Sequence, residues 1–365
     1  MDRKINMPEI LDIIFRLVCN PRKSGDAGTE SLAALARTCT TFRNPALNIL
    51  WCHQSSVQSA LTLFPQDLWV SNQTKFEFMY FARVRSFKID SMVELPIDVL
   101  QALALQCPTT HMFPNLRNIK WFRLYNEPNI LPVLQIFSAP RLASIGLTPG
   151  HSEEELVALR TLDPYANTIP LIRAVTTELV RALPKLETFQ AKINVETFME
   201  LLKLLNLQSV RGNVVQYPET TPSFAASAFP ALRKLSIAIR PKLIIQLLST
   251  VHFHTFASLK LTFDAGLGTT LPNAATIASL YTAIAGHCSP SSLTMLSIRD
   301  SHLYAENPDV EIPLGGDFES YAVGPDALRI LKPFTNLTSL ILEPYHGFDI
   351  KDTTILKMAP SWLNL

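Results

Sequence analysis

The sequence predicts an α/β repeat fold: a three-helix unit at the N-terminus, then an irregular solenoid of strand-and-helix units whose parallel strands line one face. Three observations predict it. Hydrophobic residues make up 47% of the 365 residues and charged ones 17%, far from the composition of disordered segments, so the chain must bury a large core. A six-residue pattern, L-x-x-L-x-L after a small or proline-led approach, returns nine times from Val84 onward. Helix-periodic stretches lie between the copies, so strand and helix alternate.

The first helix is predicted from Pro8 to about Cys19. Proline suits a first helical position, Glu9 suits the dipole in the first turn, and Asn20-Pro21 stops the helix. Ile10, Leu11, Ile13, Ile14, Phe15, Leu17 and Val18 are apolar and leave Glu9, Asp12 and Arg16 as one narrow polar stripe, so this helix requires cover on nearly all sides. A polar loop from Arg22 to Gly28 leads to a second helix with Leu32, Leu35, Cys39 and Phe42 on one face. Asn44-Pro45 then supplies an N-cap and first-turn proline for a short third helix with Leu47, Ile49, Leu50 and Trp51. A unit this small cannot bury so much apolar surface within itself. From periodicity alone the cover is either a partner protein or the remainder of the same chain.

The segments Met7-Pro8-Glu9-Ile10-Leu11-Asp12-Ile13-Ile14-Phe15, Leu32 to Cys39, Phe42, Pro45-Ala46-Leu47 and Leu50-Trp51 resemble the F-box motif. They are similar above all to the F-box and leucine-rich-repeat proteins of mushroom-forming fungi, where a Leu-Pro-Glu-Ile-Leu opening and a closing Leu-Trp are typical. The chain departs from that pattern in having Met7 for the usual Leu and a longer loop between the first two helices. The first is a volume-conserving change worth under about 1.5 kcal/mol and the second costs little entropy. The resemblance implies that Pro8, Ile10, Leu11, Ile14, Leu32, Leu35, Cys39 and Trp51 face a Skp-type adaptor, which links F-box proteins to a cullin scaffold.

Residues 53–80 read as a helical connector, with Val57, Leu61 and Phe64 at helical spacing. The repeat copies begin at Val84, Leu116, Leu142, Leu186, Leu207, Leu232, Phe256, Leu293 and Leu337, and alternation in the last four positions of each gives a short strand with one buried face. Helical runs are expected at Val99–Cys107, Pro132–Phe137, Ile169–Leu183, Phe198–Leu205, Lys242–Val251, Ala274–Cys288 and Ala327–Leu331. Strand followed by helix, repeated, is the leucine-rich-repeat unit, a horseshoe with its strands on the concave face. Spacing runs from 21 residues (Leu186 to Leu207) to 44 (Leu142 to Leu186), so irregular loops absorb the excess over a regular repeat. A doubly wound α/β domain alternates in the same way, but it would offer a glycine-rich phosphate turn. Here no G-x-G-x-x-G or G-x-x-x-x-G-K-[ST] occurs, and Gly266 and Gly268 read as loop residues. The expected domains are thus 1–52 (F-box), 53–80 (connector) and 81–365 (leucine-rich repeats).

Function classes narrow by elimination. With 32 basic and 31 acidic residues the formal charge is +1, which leaves no global field to hold nucleic acid. Cys19, Cys39, Cys52, Cys107 and Cys288 are odd in number, dispersed and free of C-x-x-C pairs, so neither a disulfide framework nor a zinc site is expected. The opening Met1-Asp2-Arg3-Lys4 precedes an apolar stretch, but Pro8, Glu9, Asp12 and Arg16 make it an amphipathic helix and not a signal peptide. No apolar run spans a membrane, and the expected location is intracellular, cytoplasmic or nuclear. There is no H-E-x-x-H and no G-x-S-x-G, and His252 and His254 lack a nearby third ligand, so they read as solvated loop residues. Glu153-Glu154-Glu155 reads as an acidic helix start. No catalytic residue, metal or cofactor is expected; the chain reads as a non-enzyme.

A binding surface is expected instead. In a solenoid of parallel strands the central exposed column would run Lys88, Lys120, Gly146, Gln190, Arg211, Ser236, Lys260, Ser297 and Ile341. Its cations, Lys88, Lys120, Arg211 and Lys260, suit an acidic or phosphorylated segment of a target, unless the face is simply solvated. Tyr304 to Val323, acidic and without Lys or Arg, is expected as a projecting loop. At the end of the chain Leu356, Trp362 and Leu363 are expected either to fold back as a cap or to leave an apolar edge. Read together, these features predict the substrate-recognition adaptor of an SCF-type ubiquitin ligase. The alternative is a leucine-rich-repeat interaction scaffold with no ligase role.

Overall fold

A computed structural model describes residues 7–19, 27–56, 81–89, 112–122, 137–148, 176–214, 223–263, 272–300, 322–344, 347–362 and 364–365. They form two compact units, Met1–Val175 and Thr176–Leu365. The helices expected at Val99–Cys107 and Pro132–Phe137 lie outside the described residues except for Phe137, as do most of the connector and nearly all of the acidic segment 304–323.

The first unit opens with α1 (Met7–Val18), α2 (Ala27–Thr38) and α3 (Thr40–Cys52). Leu11 and Phe15 of α1, Leu32 of α2 and Ala46 of α3 make a small core, packed round by Cys19, Leu35, Ala36, Phe42, Ile49 and Leu50. Phe15 meets Phe42 edge-on at 5.8 Å. The third helix starts five residues before the expected proline. Cys39 is extended (φ −155, ψ 163) and serves as its N-cap, Arg43 N donates to the Cys39 carbonyl, and Pro45 lies inside the helix. Phe42 therefore belongs to the third helix, not the second. Proline removes the bond that residue 45 would have donated to the first turn, a loss the helix absorbs because Ala46, Ile49 and Leu50 follow it with one side on the core.

Beyond α3 the chain turns directly into β1 (His53–Gln54), a strand where the sequence suggested the start of a helical connector. It pairs in parallel with β2 (Ser86–Ile89), then come β3 (Asn118–Phe122) and β4 (Ser144–Thr148), each parallel to the one before. Phe87, Ile119 and Ile145 are in register on the buried side, as are Ile89, Trp121 and Leu147. Phe113 joins Phe81, Phe87 and Phe137 in an aromatic cluster with ring centroids 4.7 to 5.5 Å apart.

The second unit repeats the scheme. Its strands are β5 (Thr188–Ile193), β6 (Ser209–Val214), β7 (Lys234–Ala238), β8 (Ser258–Phe263), β9 (Met295–Asp300) and β10 (Ser339–Glu343), paired in parallel in chain order. Between them lie α4 (Val195–Leu201), α5 (Pro241–Thr250), α6 (Ala274–His287) and α7 (Pro325–Arg329), with α8 (Asp352–Met358) last. Residues 176–182 are also helical.

One backbone device recurs at every described join between copies. The two residues that lead into a strand both donate to a single carbonyl of the previous copy: Gln208 and Ser209 to Glu187, Arg233 and Lys234 to Gln208, Ala257 and Ser258 to Arg233, Thr294 and Met295 to Ala257, Thr338 and Ser339 to Thr294. The first unit does the same with Arg117 and Asn118 on Arg85, and Ala143 and Ser144 on Arg117. The leading apolar residue just before each pair, such as Leu186, Leu207, Leu232, Phe256, Leu293 or Leu337, is buried and anchors the turn. Each strand therefore begins two residues after the leading residue of its six-residue pattern. The coarse prediction, α/β units repeated around parallel strands, is what the structure shows.

At the C-terminal end Met358 is buried, and Trp362 packs back with its indole N–H directed at the Leu331 carbonyl at 3.4 Å. Ile355 and Leu356 remain exposed, and all of β10 is only half-covered or open. The end of the described chain combines the two outcomes anticipated for it: a fold-back at Trp362, and an open apolar rim at Leu356; Leu363 lies outside the described residues.

Candidate protein-interaction surfaces

Two surfaces stand out. The first is on α1, which is apolar on two sides. Leu11 and Phe15, one turn apart, enter the three-helix core. Ile13, Ile14, Leu17 and Val18 follow the spacing of a second stripe and are exposed, at 61%, 45%, 70% and 37% of their surface. Asp12 and Arg16 separate the stripes, paired at 2.7 Å.

The residues assigned to adaptor contact by the F-box resemblance divide accordingly. Ile14 and Cys39 are exposed; Ile10, Leu35 and Trp51 are half-buried. Leu11 and Leu32 lie in the internal core, where they position the helices and present no surface. A helix that is apolar nearly all round does not reveal in its sequence which side its neighbours will reach. Three residues of the exposed stripe, Ile13, Leu17 and Val18, were missed for the same reason. The placement of the Pro8 side chain lies outside the described residues.

The second surface is the solvent-facing side of the strands. In the first unit Lys88, Lys120 and Gly146 are in register; in the second, Gln190, Arg211, Ser236, Lys260, Ser297 and Ile341. This is the column read from the sequence. Lys88, Lys120, Arg211 and Lys260 are all exposed. Gly146 and Ser297 are buried, because small residues beside long neighbours are shaded by them: a Cβ at Gly146 would stand 3.5 Å from Cγ of Lys120.

Among the described residues, three histidines and a cysteine lie close together at one place. His252 and His254 are exposed as expected, but α6 brings His287 to them, 4.4 Å from His252 between ring centroids. The approach follows from a parallel bridge of Phe253 with Cys288, across which Phe253 N donates to the His287 carbonyl. Burial and His252 together lower the pKa of His287. Even so, no group of three or more His, Cys, Asp or Glu among the described residues could hold a metal ion. The buried Cys288 thiol is pushed up to about 12 by desolvation, which removes it as a nucleophile. No described helix is long and apolar enough to cross a membrane.

No protein-family model matches the chain, and no curated protein matches it.

Proposed function

We propose that this chain is the substrate-recognition adaptor of an SCF-type cullin-RING ubiquitin ligase, with α1 docking a Skp-type adaptor and the strand face of a leucine-rich-repeat array taking a target protein. The observation that carries the reading is the exposed stripe Ile13, Ile14, Leu17 and Val18 on a helix whose other apolar side is already in a core. Solvent exposure of four large apolar side chains on one short helix is the mark of a surface that a partner covers. The F-box resemblance names the kind of partner. No catalytic residue is assigned to the chain, and ubiquitin transfer falls to the other ligase subunits.

The test is co-expression with a Skp-type adaptor. Ile14→Asp with Leu17→Asp should weaken co-purification about thirtyfold or more, since each truncated anchor near an interface centre costs about 2 kcal/mol or more. Both side chains are exposed, so the double variant should keep its melting temperature. Unchanged capture by the variant would reject α1 as the docking helix.

A specific observation favours the second reading, an interaction scaffold with no ligase role. The Arg83 guanidinium donates to the Asn44 carbonyl, to Asn44 Oδ1 and to Asn48 Oδ1 on α3, and Arg85 N donates to the Cys52 carbonyl. These bonds make the helices the N-terminal end of the strand array as well as a projecting module. A chain that bound no Skp-type adaptor yet lost stability when Arg83 was replaced by Met would be such a scaffold.

A further inference from the structure

The second unit leaves one strand edge open. β10 pairs with β9 and has no strand on its other side among the described residues. Ser339 N donates to the Thr294 carbonyl, so the backbone groups of Ser339, and by alternation those of Ile341 and Glu343, point at β9. Those of Leu340 and Leu342 therefore point away from it, as an unmatched row of donors and acceptors.

The side chains show the same want of cover. Leu296 and Ile298 on β9 are 0% and 4% exposed, while Leu340 and Leu342, in register with them, are only half-buried. On the solvent side Ile341 continues the column of Lys260 and Ser297. Open edges are ordinarily blunted by a lysine, a proline or a bulge. The five preceding strands of this unit each carry a cation, Lys192, Arg211, Lys234, Lys260 and Arg299 in turn, whereas β10 carries none. Its register with β9 is unbroken, proline comes only at Pro344, and its charged residue, Glu343, is held by Arg299 at 3.2 Å.

We infer that two copies of this chain associate through β10, the two strands running antiparallel about a two-fold axis at Ile341. One register satisfies the open backbone row. Leu340 opposes Leu342 of the second copy and Leu342 opposes its Leu340, so each pair exchanges both N–H to carbonyl bonds. A slip of one residue would set these groups against residues whose own bonds go to β9. The side chains agree with the same register. The half-buried leucines meet one another on the core side, Ile341 meets its own copy across the axis, and Ser339 meets a Glu343 whose charge is already paired.

A strand that is its own complement in this way selects a second copy as its occupant. Head-to-tail stacking has no mate, since β1, the outermost strand of the first unit, is two residues long and follows directly on α3. The contact is therefore isologous and closes at a dimer. It does not depend on which protein α1 meets.

Sedimentation velocity of the full chain over a wide range of concentration tests the pairing, and a monomer–dimer equilibrium with no larger species is expected. Ile341→Lys sets like charges opposite each other across the axis and should weaken self-association about tenfold or more. Lys260 stands in the same column, so the variant should keep the melting temperature of the unaltered chain when both are dilute enough to be monomeric. Ile341→Glu should dissociate in the same way. An equimolar mixture of the two variants should then associate about tenfold more tightly than either alone, because the opposed pair becomes Lys with Glu. A chain that stays monomeric throughout, a dimer that survives Ile341→Lys, or a mixture no tighter than its components would overturn the inference. So would growth beyond the dimer, or a dimer abolished by Ile14→Asp with Leu17→Asp, which would put the contact on α1 instead.

Discussion

Gly212 occupies the last position of its L-x-x-L-x-L copy, where the others carry Leu, Ile, Trp or Ala. The structure supplies the reason: a Cβ there would lie 2.2 Å from the Ala191 carbonyl oxygen on β5, its direct register partner. Gly212→Ala should destabilise the chain by about 2 kcal/mol, read as a lowered midpoint in urea unfolding. Sequence alone showed Gly212 as a weak copy of the pattern and not as a point of close backbone approach, because the approach is set by the neighbouring strand. His287 is a second residue whose role needed the fold. It is 35 positions from its ring partner His252, and its buried Nδ1 has no hydrogen-bond partner. Its pKa is lowered in the folded chain, so the unfolded chain takes up its proton more readily. The stability that neutral His287 contributes is full above its ordinary value of 6.5 and is lost as pH falls below it. His287→Gln should accordingly flatten the decline in melting temperature between about pH 7 and 5.

At the scale of elements, two helices are capped in the same way to different effect. Asn194 Oδ1 accepts from Thr197 N and Thr197 Oγ1, both at 2.7 Å, and the buried Thr197 hydroxyl lies 2.7 Å from that of Thr177. Asn273 accepts from Thr276 N and Oγ1 at 2.9 and 2.8 Å, but Thr276 is only half-buried. Asn273→Ala should cost about 1 kcal/mol, the ordinary loss of an N-cap, and Asn194→Ala about 2, because it also strips a partner from a buried hydroxyl. Comparison of the two urea midpoints checks the order. The helix α5 was expected at Lys242–Val251 and lies at Pro241–Thr250; α6 was expected at Ala274–Cys288 and ends at His287. Both are long apolar periods, where spacing speaks clearly. The break between α2 and α3 was not legible, since Cys39 is not a residue that stops a helix and Pro45 suggested a start it does not mark.

For the whole molecule, the repeat was legible because its leading apolar residue and its strand are local in sequence, and within each unit every described copy forms a strand parallel to its neighbours. The exposed column was legible as well, since register follows once each copy is aligned on its leading residue. The division of α1 into a buried and an open stripe was not, because it depends on which side α2 and α3 occupy. That division carries the central claim, and calorimetric titration of the full chain with a purified Skp-type adaptor tests it most directly. The account predicts 1:1 binding with a negative heat-capacity change from apolar burial, weakened about thirtyfold or more by Ile14→Asp with Leu17→Asp while the melting temperature holds. Absence of heat with the unaltered chain, or undiminished affinity in the double variant, would contradict it.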